Sequence, residues 1–199
     1  MIMSNLKEII PYYKLFISSL KEVKMCLISY KKGHQNEYVN ERAFAYELYR
    51  QMANRLYNDM NDCYKWQNER PPIIINAELY KYVNPNRRAD NKGRKFPDIV
   101  VHGGQDNTDK QLLVCEIKVK ASEEEIKNDL EKLFDYMDYD KMFGHPYSMA
   151  VFINIGPIRT FRKHLFNIAF NIKRHGVLLL ISYDKGKVRI INPILHKDD

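Results

Sequence analysis

Three charged side chains lie on two apolar segments that a short polar stretch separates. The first segment reads KFPDIVV and contains Asp98, and the second reads QLLVCEIKVK and contains Glu116 and Lys118. The intervening GGQDNTDK is rich in turn-forming residues, so the whole stretch predicts a β-hairpin. Two carboxylates and one ammonium group on a shared face could bind a divalent cation and a substrate phosphate.

The hairpin register decides whether these groups share a face. If the turn is centred on Asn107, Asp98 and Glu116 are equally far from it along the chain and lie opposite each other. Opposed residues of antiparallel strands point to the same face with Cβ atoms about 4.5–5.5 Å apart. Lys118 is two residues beyond Glu116 and shares its face. One β-bulge would shift this register.

The second segment is apolar on both faces, which favours a covered, central strand. Its apolar residues are Leu112, Leu113, Val114, Cys115, Ile117 and Val119. Burying a carboxylate there is costly unless it is paired or binds a metal, and two adjacent carboxylates repel each other. A hard divalent cation such as Mg²⁺ would neutralise both. The alternative is an ordinary edge strand, whose solvated face would carry Glu116, Lys118 and Lys120.

The motif formed by Pro97-Asp98 and Glu116-Ile117-Lys118 resembles that of the PD-(D/E)XK nuclease superfamily. The resemblance spans about residues 37–182. It implies an α/β fold with the restriction-endonuclease-like αβββαβ core, in which helices flank a mixed central sheet. Residues 37–199 would then form the nuclease-like domain, and residues 1–36 an N-terminal helical arm.

The resemblance also implies roles for the motif residues. Asp98, Glu116 and the carbonyl of Ile117 would bind Mg²⁺, for which Mn²⁺ could substitute. The cation would polarise a scissile phosphate and lower the pKa of a bound water. Lys118 would orient that water or neutralise charge that develops on phosphate oxygens.

A further glutamate from the helix before the sheet often completes such a site in this family. Glu41 is the first choice and Glu47 the second, because Glu47 lies further along the helix and could face solvent. Some members carry another carboxylate on the first strand, where Glu78 stands.

Apolar spacing and turn residues predict the elements that position these side chains. Asp129 and Lys132 are interpreted as an i,i+3 surface pair on the helix after the motif. That helix starts at a capping box, Ser122 with Glu125. The predicted order is helix 4–31, which Pro11 kinks or splits, helix 37–60, strand 73–82, a polar loop 84–95, strands 99–101 and 112–119, helix 122–137, strand 149–155, helix 158–174 and the hairpin 177–191.

Composition favours a polyanionic partner. The net charge is +7 and the sequence pI about 9.1, and pooled basic residues are typical of phosphate contacts. The candidates for nucleic-acid contacts are Arg87, Arg88, Lys92, Arg94, Lys95 and Lys120. A solvated basic surface would look the same. Three widely spaced cysteines and the lack of a signal-peptide or membrane-span pattern indicate a reducing, cytoplasmic setting.

The functional expectation is therefore a Mg²⁺-dependent endonuclease or exonuclease that hydrolyses phosphodiester bonds, with DNA favoured over RNA. Restriction, repair and defence all remain open, because a fold does not determine the biology. The alternatives are a catalytically inactive nucleic-acid-binding module and a protein-interaction module. In the latter, the N-terminal helices would form a homodimer or bind a partner protein.

Overall fold

The computed structural model describes residues 2–31, 37–58, 73–77, 81–82, 94–95, 97–103, 110–142, 145–156 and 176–191. The helices in these ranges are α1 (Ile2–Lys21), α2 (Met25–Ile28), α3 (Glu41–Asn58) and α4 (Glu123–Met137). The strands are β1 (Ser29–Lys31), β2 (Glu37–Val39), β3 (Ile74–Ala77), β4 (Lys81–Tyr82), β5 (Arg94–Lys95), β6 (Ile99–His102), β7 (Gln111–Val119), β8 (Met149–Ile155), β9 (Val177–Asp184) and β10 (Lys187–Ile191). The predicted helix 158–174 lies outside the described residues.

A six-stranded mixed sheet organises the fold, in the order β10-β9-β8-β7-β6-β3. The strands β7, β8 and β9 run parallel, whereas β10, β6 and β3 pair antiparallel to their neighbours. The α4 helix connects β7 to β8, as a parallel pair requires. The expectation of an α/β fold with a mixed central sheet and helices is thereby confirmed.

Helices cover both faces of this sheet, and each face has its own apolar cluster. Phe16 of α1 and Phe44 of α3 belong to the cluster that includes Cys115 and Ile117. The opposite cluster joins α4 to the alternate residues of the strands, such as Val114. Strand β7 is therefore buried on both sides over most of its length, as its sequence predicts.

The hairpin formed by β6 and β7 has the predicted register at its functional end. Ile99 lies opposite Cys115, and Val101 lies opposite Leu113. A register irregularity follows, so that His102 pairs with Gln111. Because this bulge falls towards the turn, it leaves the pairing of Ile99 with Cys115, next to Asp98 and Glu116, unchanged.

The α4 helix begins with the predicted capping box. The Ser122 side chain accepts a hydrogen bond from the Glu125 backbone N–H, and the Glu125 carboxylate accepts one from the Ser122 backbone N–H. Such a cap satisfies two N–H groups that the first helical turn leaves free. It fixes where α4 starts, and therefore which side chains α4 turns towards β7.

The N-terminal segment is only partly helical. Residues 29–31 and 37–39, which the apolar spacing assigns to helices, instead form the antiparallel pair β1 and β2. Pro11 lies inside α1 without ending it. The polar loop prediction for 84–95 is wrong at its end, where β5 pairs with β4. In β1–β2 and in β4–β5, strand pairing thus outweighs the local preference of the residues.

Helix α1 packs into the main core. Phe16 and Leu20 are fully buried, and the Tyr183 hydroxyl of β9 donates a 2.5 Å hydrogen bond to the Val23 carbonyl just after the helix. The boundary between a 1–36 arm and a 37–199 domain stays a prediction. None of the helices among the described residues combines the length and apolar composition needed to cross a membrane.

Candidate active site

Asp98 and Glu116 come together beside the β6–β7 pairing. The Asp98 backbone N–H donates to the Cys115 carbonyl at 3.1 Å. Its Oδ2 accepts a 2.6 Å hydrogen bond from the Ile117 backbone N–H, which holds the carboxylate over β7. Glu116 lies on the β7 face that α4 covers, and the Asp98 charge contributes to raising its pKa. The two carboxyl groups therefore lie close enough for their charges to interact, whereas a shared cation stays a prediction.

Burial raises the pKa of both carboxyl groups. The pKa of Glu116 rises from 4.5 to about 8, chiefly because its side chain is only 2% exposed, and Lys132 offsets part of the rise. The pKa of Asp98 rises from 3.8 to about 6, also through burial, against the opposing hydrogen bond from Ile117. A buried carboxyl group that still titrates above its usual range lacks full compensation by its neighbours. The site therefore favours additional positive charge.

Lys118 joins the first residue of α3 to the end of β7. Its Nζ donates a 3.0 Å hydrogen bond to Glu41 Oε1, and Asp129 Oδ2 lies 4.0 Å away. Burial acts to lower the Lys118 pKa, but Glu41 and the other carboxylates raise it overall. Lys118 is therefore held protonated. Glu41, the first-choice glutamate, contacts the site through its hydrogen bond with Lys118.

The α4 helix contributes two residues that the sequence interpretation assigned to the surface. Lys132 Nζ lies 2.6 Å from Glu116 Oε1. Asp129 is mostly buried, with its Oδ2 facing Lys118, and burial raises its pKa. The surface-pair interpretation is wrong, because α4 turns this i,i+3 pair towards β7. The only sequence signal was that both residues flank buried Leu130 and Leu133.

Glu47 takes no part in this cluster. Its carboxylate binds the Arg50 guanidinium at 2.8 and 2.7 Å and Gln51 Nε2 at 2.8 Å. The hydrogen bond from Arg50 lowers the Glu47 pKa despite the opposing effect of burial. Glu47 is also buried, so the interpretation that it faces solvent is wrong. It does not join the site as the second-choice glutamate either. Glu78 lies outside the described residues.

The proposed nucleic-acid contacts are described only in part. Lys120 is exposed directly after β7, and its φ of 51° is left-handed. Arg94 and Lys95 lie on β5, whereas the other three candidates fall outside the described residues. These three are Arg87, Arg88 and Lys92.

A phenol lies beside the carboxyl groups without any sequence signal. Tyr136 of α4 is fully buried, and its hydroxyl has no hydrogen-bond partner among the described residues. Burial raises its pKa first, and the Glu116 charge second. Its ring meets that of Tyr147 edge-on, with centroids 6.0 Å apart. The Tyr136 hydroxyl is thus a hydrogen-bond donor, near the buried end of the site, for which the described residues provide no acceptor.

The carboxyl groups of this cluster supply oxygen atoms, which hard divalent cations prefer as ligands. The site contains four carboxyl groups, those of Glu41, Asp98, Glu116 and Asp129. It also contains two amines, those of Lys118 and Lys132. If all six were ionised, two negative charges would remain, which one divalent ion would neutralise. Within the described ranges, no three or more His, Cys, Asp or Glu side chains are arranged as a ready metal site. The lysines lie between the carboxylates instead.

Comparison of the chain with protein-family models, with curated proteins and with solved structures returned no significant match. The function is therefore inferred from the geometry of this site.

Proposed function

We propose that this chain is a Mg²⁺-dependent nuclease with the restriction-endonuclease-like core of the PD-(D/E)XK type. The observation that carries the proposal is the meeting of Asp98, Glu116 and Lys118 beside a buried strand, in the predicted register. An ordinary solvated edge strand would not bury Glu116 to 2% exposure in the middle of a sheet. DNA is the favoured substrate, and the cytoplasm the favoured compartment.

Each residue of the site has a role that its environment supports. Asp98 and Glu116 supply oxygen ligands, and the Ile117 carbonyl would complete the set. A bound Mg²⁺ would polarise the scissile phosphate and lower the pKa of a water ligand. Lys118, held protonated by Glu41, provides a fixed positive charge for the charge that grows on phosphate oxygens. Glu41 orients Lys118 through the 3.0 Å hydrogen bond.

The net charge of +7 supports a polyanionic substrate. A protein partner would have to use another face of the N-terminal helices than the one buried in the core. Ile10 and Leu27 are exposed there. A homodimer or partner complex through these helices is thus a secondary part of the proposal, since single exposed apolar residues are common on surfaces.

A cutting assay with matched lysine variants tests the nuclease proposal. Supercoiled plasmid, linear double-stranded DNA, single-stranded DNA and RNA would be incubated with Mg²⁺, with Mn²⁺ or with EDTA. We expect Lys118→Met to lower the rate about 10²–10³-fold, as loss of one preorganised electrostatic group does. Lys127→Met, an exposed lysine on α4, is the control and should cut at the wild-type rate.

Two results would contradict the proposal in different ways. Wild-type protein that cuts none of the four substrates with either cation would remove the nuclease function. It would leave a binding module, which salt-dependent retention of DNA would reveal. Cutting that survives Lys118→Met unchanged would instead remove the assigned role of Lys118.

A further inference from the structure

The Lys132 side chain contacts the buried carboxyl group of Glu116. Its Nζ lies 2.6 Å from Glu116 Oε1, and the two side chains are 22% and 2% exposed. Glu116 is confined on a central strand under α4. Lys132 reaches it from α4 on a flexible four-carbon chain and keeps contact with solvent.

Lys118 cannot serve the same carboxylate as closely. It is engaged by Glu41 at 3.0 Å and lies 4.0 Å from Asp129, at the outer side of the cluster. The contacts thus divide into an outer group around Lys118 and an inner pair formed by Lys132 and Glu116. The inner pair contains one of the two carboxylates assigned to the metal.

An ammonium group and a divalent cation weaken each other's binding at one carboxyl group. The oxygens have lone pairs for both, but two positive charges within about 4 Å repel strongly in a partly buried site. Glu116 cannot move away without disrupting β7, whereas Lys132 can turn towards solvent. Asp129, three residues earlier on the same helix, offers a carboxylate on the way out.

We propose that Lys132 acts as an internal counter-cation that holds Glu116 in the metal-free protein and is displaced when a divalent cation binds. Lys132 is thus a positioning residue that keeps the buried carboxylate ready and sets the affinity for the ion. This inference rests on the proposed metal site and adds a competitor to it.

Titration calorimetry with Mn²⁺ alone tests the exchange without any activity measurement. We expect Lys132→Met to bind Mn²⁺ about 10-fold or more tightly than wild type. The magnitude is taken by analogy from carboxyl groups, whose pKa a charge within about 4–6 Å shifts by about 1–3 units. Lys132→Arg keeps the charge and should bind nearly as wild type does, as should the surface control Lys127→Met.

Thermal unfolding separates exchange from a merely structural role. We expect Lys132→Met to lower the Tm of the metal-free protein by about 5 °C or more, because the buried Glu116 carboxyl group loses its 2.6 Å contact with the ammonium group. With saturating Mn²⁺ the difference from wild type should largely vanish. An equal loss of Tm with and without Mn²⁺ would overturn the proposal, as would Mn²⁺ affinity that is unchanged or weaker in Lys132→Met.

A crystal structure of the wild-type protein with Mn²⁺ gives a test that needs no variant to fold. Exchange predicts that the distance from Lys132 Nζ to Glu116 Oε1 grows from 2.6 Å to beyond ion-pairing range, about 4 Å. An ion bound at Asp98 and Glu116 with Lys132 unmoved would overturn this inference and leave the nuclease proposal standing. Wild-type protein that binds no Mn²⁺ at all would overturn both.

Discussion

Replacing Glu116 with glutamine tests whether burial of this carboxyl group destabilises the metal-free protein at neutral and alkaline pH. Glutamine has nearly the same shape but no charge. In the folded protein the Glu116 pKa is about 8, against 4.5 as its ordinary value. Between those two pH values the folded protein retains a proton that the unfolded chain has released. Stability therefore falls as pH rises across this window and is greatest below it.

The size of the effect follows from the same two values. One pKa unit corresponds to about 1.36 kcal/mol, so the rise from 4.5 to about 8 sets a ceiling of about 5 kcal/mol at pH 8. The 2.6 Å contact with Lys132 and the raised pKa act in opposite directions. Burial wins because Glu116 leaves water almost completely, whereas Lys132 remains partly solvated. Since glutamine also leaves Lys132 without its carboxylate, we expect a net gain of about 2–4 kcal/mol.

Urea unfolding in EDTA at pH 5, 6.5 and 8 measures this difference. We expect wild type and Glu116→Gln to agree within about 1 kcal/mol at pH 5 and to diverge steadily towards pH 8. Glu131→Gln, an exposed glutamate on α4, is the matched control and should parallel wild type. Parallel curves for wild type and Glu116→Gln would refute the reasoning, because they would mean that Glu116 has an ordinary pKa.

Three further substitutions probe the elements that hold the site. Ser122→Ala should lower the free energy of unfolding by about 0.5–2 kcal/mol through loss of the α4 cap, measured by urea unfolding. Tyr183→Phe should cost about 1–3 kcal/mol, because the buried Val23 carbonyl loses its 2.5 Å donor; a smaller effect on unfolding would contradict that contact. Glu47→Gln should flatten the acid side of the stability profile. Because Arg50 lowers the Glu47 pKa, the wild-type contribution is present above about pH 4.5 and is lost as pH falls further.

The motif hairpin was predictable because its information is local. A polar stretch between two apolar segments predicted a hairpin, and the two-residue period of a strand placed Glu116 and Lys118 on one face. The α4 cap was equally readable, because a capping box involves residues only three apart. Both features depend on backbone geometry that neighbouring residues specify.

The N-terminal region shows where local pattern fails. Residues 29–31 and 37–39 were predicted to end one helix and to begin the next, yet β1 and β2 gain backbone hydrogen bonds by pairing with each other. Pro11 lies inside α1 although it lacks the N–H of a helical residue, while Phe16 and Leu20 of the same helix are fully buried in the core. Pairing and packing partners are not encoded in periodicity.

The amino-acid sequence by itself determined the inner chemistry of the site: two carboxylates and an ammonium on one face of a hairpin. Only the tertiary structure decided which neighbours face them. From the sequence, Asp129 and Lys132 could equally form a solvent-exposed pair. Helical spacing shows which residues share a face of the helix, but not what that face packs against. Glu41 is likewise placed by the docking of α3, which turns it towards Lys118. Glu47 instead pairs with Arg50 of the same helix.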